Sequence, residues 1–150
     1  MEKISKHMED HHKIIDALFE GFENEVGGER EKVVEVFERF KWELQKHIFL
    51  EEKAIFSFCQ KCYIGEDKVT DIAADMVKTH DEILEKLNDL ENELILEDDF
   101  DVSELKDLLL KHEKEEDSKL YPVLDERLDS LHKKIVIKKV KEFPIKGPKH

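Results

Sequence analysis

The residues best suited to chemistry in this chain belong to a phrase that occurs twice: a histidine, a glutamate four residues later, and then a second acid. The two copies are residues 47–52 and 112–117. A single histidine precedes each copy by a similar distance, His12 by 35 residues and His80 by 32. Imidazole and carboxylate groups in this number are the ligands that a pair of iron ions uses in proteins. The sequence therefore contains two copies of one unit, each with two histidines and one glutamate that could bind metal.

The composition favours long helices. Charged residues make up 42% of the 150 residues and hydrophobic residues 39%, with five glycines and three prolines. This length is sufficient for one domain with its own core, and the scarcity of turn residues is unlike a β-sandwich. Hydrophobic side chains recur with the helical period in four stretches. They cover residues 4–26, 29–63, 68–94 and 103–131.

The connections between these stretches are short, which implies that successive helices are antiparallel neighbours. Gly27 and Gly28 end the first helix, since glycine adopts the conformation that terminates helices most easily. We therefore predict an all-α fold, an up-down-up-down antiparallel four-helix bundle that spans residues 1–131. Residues 132–150 are assigned to a Lys-rich C-terminal extension.

The histidines and glutamates of the phrases fall inside hydrophobic stripes. At about 100° per residue, His47 and Glu51 lie within the stripe of the second helix, and His112 and Glu116 within that of the fourth. His80 lies within about 40° of the centre of the third stripe. A buried carboxylate is costly unless charge or hydrogen bonds compensate it. Buried histidine–glutamate hydrogen bonds without metal are one interpretation; a cation that neutralises the carboxylates and accepts the imidazoles is the one we favour.

Other residues near these positions leave alternatives open. His11 and His12 both flank the stripe of the first helix; rotation slightly favours His11, and the internal repeat does not separate them. Tyr121 either lies beside the metal ligands or is an interface aromatic with its hydroxyl in water. Cys59 and Cys62 are either small buried hydrophobes or a redox-responsive pair.

In these motifs the chain resembles the hemerythrin-like, or HHE cation-binding, domain family. The resemblance covers roughly residues 8–131 and depends on residues 10–19, 47–52, 76–83 and 112–122. Such proteins hold two non-haem iron ions, joined by carboxylates and an oxo or hydroxo group, in a four-helix bundle. The resemblance implies that Glu51 and Glu116 are the bridging ligands. It implies terminal ligands at His12, His47, His80 and His112. An acid follows the family's first-helix histidine by four residues, and Asp16 in that place selects His12 over His11.

The resemblance also suggests a function. The oxygen carriers of the family have a further histidine one turn before the position of His80, where this chain has Met76, so one iron would keep an open position. We predict a non-haem di-iron protein that binds dioxygen or nitric oxide as a sensor, carrier or store, rather than a turnover enzyme. The alternatives are a di-iron redox protein that reduces peroxide or repairs iron centres, and a metal-stabilised scaffold for a partner.

The charge distribution bears on partners. The net charge of −13 argues against nucleic-acid binding by the body of the protein. Residues 132–150 carry seven lysines and one glutamate, a net +6, so the remainder carries −19. This extension either binds an acidic protein partner or is an appendage that packs on the acidic bundle or stays mobile. No hydrophobic run approaches the ~20 residues that cross a membrane, and no signal segment is evident, so we expect a cytoplasmic protein without membrane contact.

Overall fold

A computed structural model describes residues 2–58, 67–96 and 101–147, and within these ranges the protein is helical and contains no strand. The first half comprises α1 (Ile4–Glu25), α2 (Arg30–Phe49) and a π-helix, π1 (Leu50–Phe56). The second half comprises α3 (Asp67–Ile95), α4 (Ser103–Glu115), a second π-helix, π2 (Glu116–Leu120), and α5 (Tyr121–Arg127). A last helix, α6, follows at Ser130–Glu142. Because α2 continues into π1, and α4 continues through π2 into α5, these elements make four long helices before α6.

The buried side chains show that these four helices alternate in direction. They form two hydrophobic clusters, and the helices pass from one to the other. The Tyr121 cluster is built around Ile4, Met8, Leu50, Phe56, Met76 and Tyr121. The Phe40 cluster is built around Ile15, Phe19, Phe22, Phe40, Ile83 and Leu109. α1 and α3 start in the Tyr121 cluster and end in the Phe40 cluster, whereas α2 and α4 run the opposite way. The predicted all-α, up-down-up-down bundle is therefore confirmed.

The helix ends mostly lie within a residue or two of the predicted ones, the usual uncertainty of such boundaries. The turn after α1 contains Gly27 at a φ of +88°, in the left-handed region that glycine adopts without steric cost. The predicted end of the second helix at Tyr63 lies outside the described residues, as do Cys59 and Cys62. The predicted end of the fourth helix at Leu131 is wrong. Leu128 is extended, and the Asp129 carboxylate accepts a hydrogen bond from the backbone N–H of His132 at 2.8 Å, which caps a new helix.

The new helix, α6, packs against the bundle. Val136, Ile137 and Val140 are buried in the Tyr121 cluster. Beyond α6 the chain continues in non-helical form, where the backbone N–H of Lys146 donates to Glu43 Oε2 at 3.1 Å. The part of the Lys-rich extension that the structure describes thus shares the hydrophobic core, while the domain boundary at residue 131 stays a prediction. None of the described helices combines the length and the hydrophobicity that crossing a membrane requires.

Candidate metal centre

A layer of polar side chains separates the two hydrophobic clusters. Each of the four long helices contributes to it, at the point where the helix passes between the clusters. All the contributing side chains are at most 4% exposed. They are His12 from α1, His47 and Glu51 from α2 and π1, His80 from α3, and His112 and Glu116 from α4 and π2. The structure thus brings together all six residues that the sequence suggested as ligands.

Within this layer the six side chains form two overlapping groups. The first contains His12 and His47, and the second contains His80 and His112. Glu51 and Glu116 belong to both, and the potential ligand atoms of each group lie within 4.8 Å of one another. Two sites that share both carboxylates can hold two cations with the carboxylates between them.

The atoms that face each other in these groups have no hydrogen-bond partners. His47 Nε2 lies 3.1 Å and His80 Nε2 3.3 Å from Glu51 Oε1. His12 Nε2 and His112 Nε2 lie 3.2 Å and 3.3 Å from Oε1 of Glu116. None of these nitrogens or Oε1 atoms has a partner with hydrogen-bond geometry. Leaving buried polar atoms unpaired costs roughly 1–3 kcal/mol each, whereas a cation accepts lone pairs from all of them. The donor set therefore fits a metal ion.

The second acid of each phrase explains how two of the imidazoles are oriented. Asp117 Oδ2 lies 3.1 Å from His12 Nδ1, and Glu52 Oε2 lies 2.7 Å from His80 Nδ1. Each acid thus contacts the single histidine of the other half of the chain. A carboxylate at Nδ1 fixes the proton there and leaves the Nε2 lone pair free for a metal. The repeated acid was visible in the sequence, but its cross-pairing was not.

His11 and His12 differ in what they contact. His12 Nε2 points at Glu116, whereas His11 lies beside the centre with its Nδ1 3.3 Å from Nδ1 of His47. Burial and the neighbouring His47 and His12 lower the pKa of His11 to about 3, so this imidazole is neutral. The geometry therefore places His12 among the potential ligands and His11 behind His47.

Tyr121 is fully buried, and its hydroxyl is not in water. The hydroxyl donates to Glu51 Oε2 and also lies 3.3 Å from Glu116 Oε2. One phenol thus contacts both of the carboxylates that the two groups share, in each case at the Oε2 atom. This contact orients the two glutamates and leaves their Oε1 atoms for a cation.

The two π-helices explain why the aromatic residues lie where they do. Phe56 follows Glu51 by five residues, and Tyr121 follows Glu116 by five. In an α-helix this separation turns a side chain about 140° away, but the i→i+5 hydrogen bonding of a π-helix returns it to the same side. Both rings are consequently buried beside the centre, and Phe56 stacks on His80 with ring centroids 6.0 Å apart. Counting at a uniform helical period could not reveal these turns.

Burial and neighbouring charges shift the pKa values of the side chains in this layer in opposite directions. Burial alone would lower the pKa of His80, but the neighbouring carboxylates of Glu51 and Glu116 and the hydrogen bond to Glu52 raise it to about 9. Burial alone would raise the pKa of Glu51, but the neighbouring side chains of Glu116, His80 and His112 bring it to about 2. Burial holds the pKa of His47 well below its ordinary value, and the charge of His12 acts the same way. Without metal, the layer is therefore held by a mixture of charged and neutral imidazoles around ionised glutamate.

Comparison with protein families agrees with this geometry. The family model of the hemerythrin HHE cation-binding domain matches residues 3–124, and the chain belongs to that family. Comparisons with curated proteins and with solved structures gave no match. The family and the buried histidine and glutamate groups together indicate a cation-binding domain.

Proposed function

We propose that His12, His47, His80 and His112 are terminal ligands of two iron ions, with Glu51 and Glu116 as the bridging ligands. The observation that carries this proposal is the pair of overlapping four-residue groups, which share both glutamates and direct six unpaired atoms at one another. Imidazole and carboxylate donors suit non-haem iron. Metal analysis of protein purified without added metal tests it, with two irons per chain as the expected result and other metals or one ion as the contradicting ones.

We further propose that this centre binds dioxygen or nitric oxide. Iron in such a site, when present, supplies reversible binding of a small diatomic ligand. Each group offers two imidazoles and the shared carboxylates, which leaves room in an octahedral coordination shell. Met76, in the place of the oxygen carriers' extra histidine, is 3% exposed and packs in the Tyr121 cluster.

A small internal cavity beside the centre supports this proposal. Its volume of about 10 Å³ is about the minimum that holds one water molecule. Its walls combine three of the histidines and the two shared glutamates with Glu113 and with hydrophobic side chains of the Phe40 cluster, such as Leu109. The hydrophobic part of such walls suits an apolar diatomic molecule. The chain thus supplies a small space next to the potential ligand atoms.

Spectroscopy of the iron-loaded protein distinguishes the possible roles. Reversible visible bands on mixing the reduced protein with dioxygen or nitric oxide would support ligand binding. Steady consumption of peroxide or oxygen with a reductant would support a di-iron redox protein instead. Binding of a partner that persists after zinc replaces iron would support a scaffold.

A substitution in the cavity wall tests where the ligand binds. Leu109→Phe fills the cavity, and we expect it to weaken dioxygen or nitric oxide binding by about tenfold, roughly 1.4 kcal/mol, with iron content unchanged. Leu105→Phe is the matched control, because Leu105 is an equally buried leucine on α4 that does not line the cavity. Titrations followed by visible absorption provide the comparison. Equal affinities in the two variants would contradict a ligand site in this cavity.

We also propose an acidic protein partner for the surface of α6. Lys134 and Lys138 line an open groove of about 720 Å³ beside α6, together with two further lysines. We expect a polyglutamate peptide to bind there in low salt and to be released as salt screens the charges. Lys134→Glu with Lys138→Glu should abolish this binding, while Lys111→Glu, on exposed α4 surface, should not. Binding that survives the double substitution would contradict the proposal.

A further inference from the structure

A pocket on the surface of the bundle leads to the metal centre from the side of α1 and α4. It has a volume of about 480 Å³ and is open to solvent. Its wall includes His12, which is 4% exposed and whose Nε2 faces Glu116 inside the centre. The same wall includes Asp117, which contacts the other ring nitrogen of His12. The pocket therefore reaches from solvent to a residue of the metal centre.

Carboxylates line this pocket at several depths. Glu9 and Asp16 come from α1, and Glu113 and Asp117 come from α4 and π2. Glu113 is only 5% exposed, and neither of its carboxylate oxygens has a partner with hydrogen-bond geometry. Its nearest acidic neighbour is Asp16, whose Oδ1 is also buried without a partner. Two facing carboxyl groups without a counter-charge need a shared proton or a cation between them.

Two lysines belong to the same pocket but do not neutralise the acids. Lys13 and Lys114 line it, and both are exposed. Within the part of the chain that the structure describes, neither lysine forms an ion pair with Asp16, Glu113 or Asp117. Apart from His12, the ionisable side chains in the inner part of the pocket are carboxyl groups, and divalent cations with a preference for oxygen ligands suit such a site.

We propose that Asp16, Glu113 and Asp117 form a third, transient cation site, through which divalent metal ions enter the buried centre by way of His12. The site takes a hydrated divalent cation, holds it by carboxylate oxygens, and passes it to the histidines. Concentrated negative charge in a cleft raises the arrival rate of cations by about tenfold or more. This proposal depends on the proposed metal centre, because an entry site has a role only if the buried histidines and glutamates bind metal.

Loading of the metal-free protein with Co²⁺ tests the proposal. Co²⁺ develops visible bands when it enters a site of histidine and carboxylate ligands, so stopped-flow absorption reports arrival in the buried centre. In the unmodified protein we expect the loading rate to saturate with Co²⁺ concentration, as it does when ions first fill an outer site. In Glu113→Gln we expect a rate about tenfold lower that rises linearly, with the same final spectrum and the same number of bound ions.

A matched substitution and a competing ion serve as controls for this experiment. Glu115→Gln makes the same substitution on the same helix, but Glu115 does not line the pocket, and we expect it to load at the unmodified rate. Millimolar Ca²⁺, which prefers oxygen ligands, should slow loading of the unmodified protein and leave Glu113→Gln unaffected, with NaCl of equal ionic strength as the reference. Asp16→Asn, in the same pocket, provides a second variant should Glu113→Gln fail to fold.

The outcomes separate this inference from the proposed function. If Glu113→Gln and Asp16→Asn load at the unmodified rate, or if Ca²⁺ slows all variants equally, the entry site is wrong and the metal centre stands. If the unmodified protein never develops the bands of histidine-bound Co²⁺, the metal centre itself is wrong.

Discussion

Glu51→Ala and Glu116→Ala will each leave the protein with less than about half an iron per chain when purified without added metal. The reason is that each glutamate belongs to both groups of potential ligands, so one substitution removes a ligand from both ions. Loss of a ligand that holds two metals also removes the charge compensation between them. The measurement is elemental analysis of the purified variants, with thermal unfolding as a second readout. Melting temperatures should fall with the metal, because a bound ligand stabilises the folded state by mass action.

Glu43→Ala provides the control for this pair. Glu43 is a glutamate of α2 that is 3% exposed, as deeply buried as the proposed ligands. Its carboxylate, however, faces Lys46, 2.9 Å away, and the backbone N–H of Lys146. Its substitution should lower stability, because it leaves those donors unpaired, but it should not change the iron content. Full iron content in either Glu51→Ala or Glu116→Ala would contradict the bridging assignment.

The sequence allowed the bundle and its polar layer to be predicted because both depend on local periodicity. Residues four apart share a helix face, so His47 with Glu51 and His112 with Glu116 had to point together. The apolar residues around them placed that face in the core. The antiparallel order followed from the short connections. These features can be predicted without knowing which residues that are distant in the sequence come into contact.

Features that depend on departures from the regular helix could not be predicted in the same way. At a uniform 100° per residue, Phe58 would lie on the face of His47 and Phe56 on the opposite face, whereas the structure buries Phe56 and leaves Phe58 half-exposed. The two π-helices cause this difference. The only trace in the sequence is the aromatic residue found nine positions after each phrase histidine. The cap at Asp129 was likewise missed, because the hydrophobic period of α6 is interrupted by lysines.

Contacts between distant parts of the chain could not be predicted from the sequence either. Asp117 contacts His12, and Glu52 contacts His80, across more than twenty-five residues in each case. No local rule pairs them. Glu113 was missed as well, since a glutamate beside the ligands looks like any surface acid of α4. In the absence of a bound cation, burial and the neighbouring Asp16 raise the pKa of this carboxyl to about 10.

Metal removal should make stability fall more steeply as the pH rises from 6.5 to 9. In the metal-free protein, the pKa of His80 is raised from its ordinary 6.5 to about 9. A raised pKa stabilises the fold fully below 6.5, and this stabilisation is lost as the pH rises through 9. The raised pKa of His12 acts in the same direction. From His80 alone we expect the free energy of unfolding to decrease by about 2–3 kcal/mol across this range, and His12 adds to the decrease.

The metal-loaded protein should not share this decrease, because a metal binds the neutral imidazole and competes with protons. Rising pH removes that competition, so the difference in melting temperature between loaded and EDTA-stripped protein should widen from pH 6.5 to pH 9. The raised pKa of Glu113 makes the stability of the loaded and the stripped protein depend on pH in the same way. The difference in melting temperature between the two forms at each pH therefore does not contain this contribution. His80→Gln should make the curve of the stripped protein less steep, because it removes one of the groups that lose a proton in this range. Parallel curves for the loaded and stripped forms would show that protons and metal do not compete for these imidazoles.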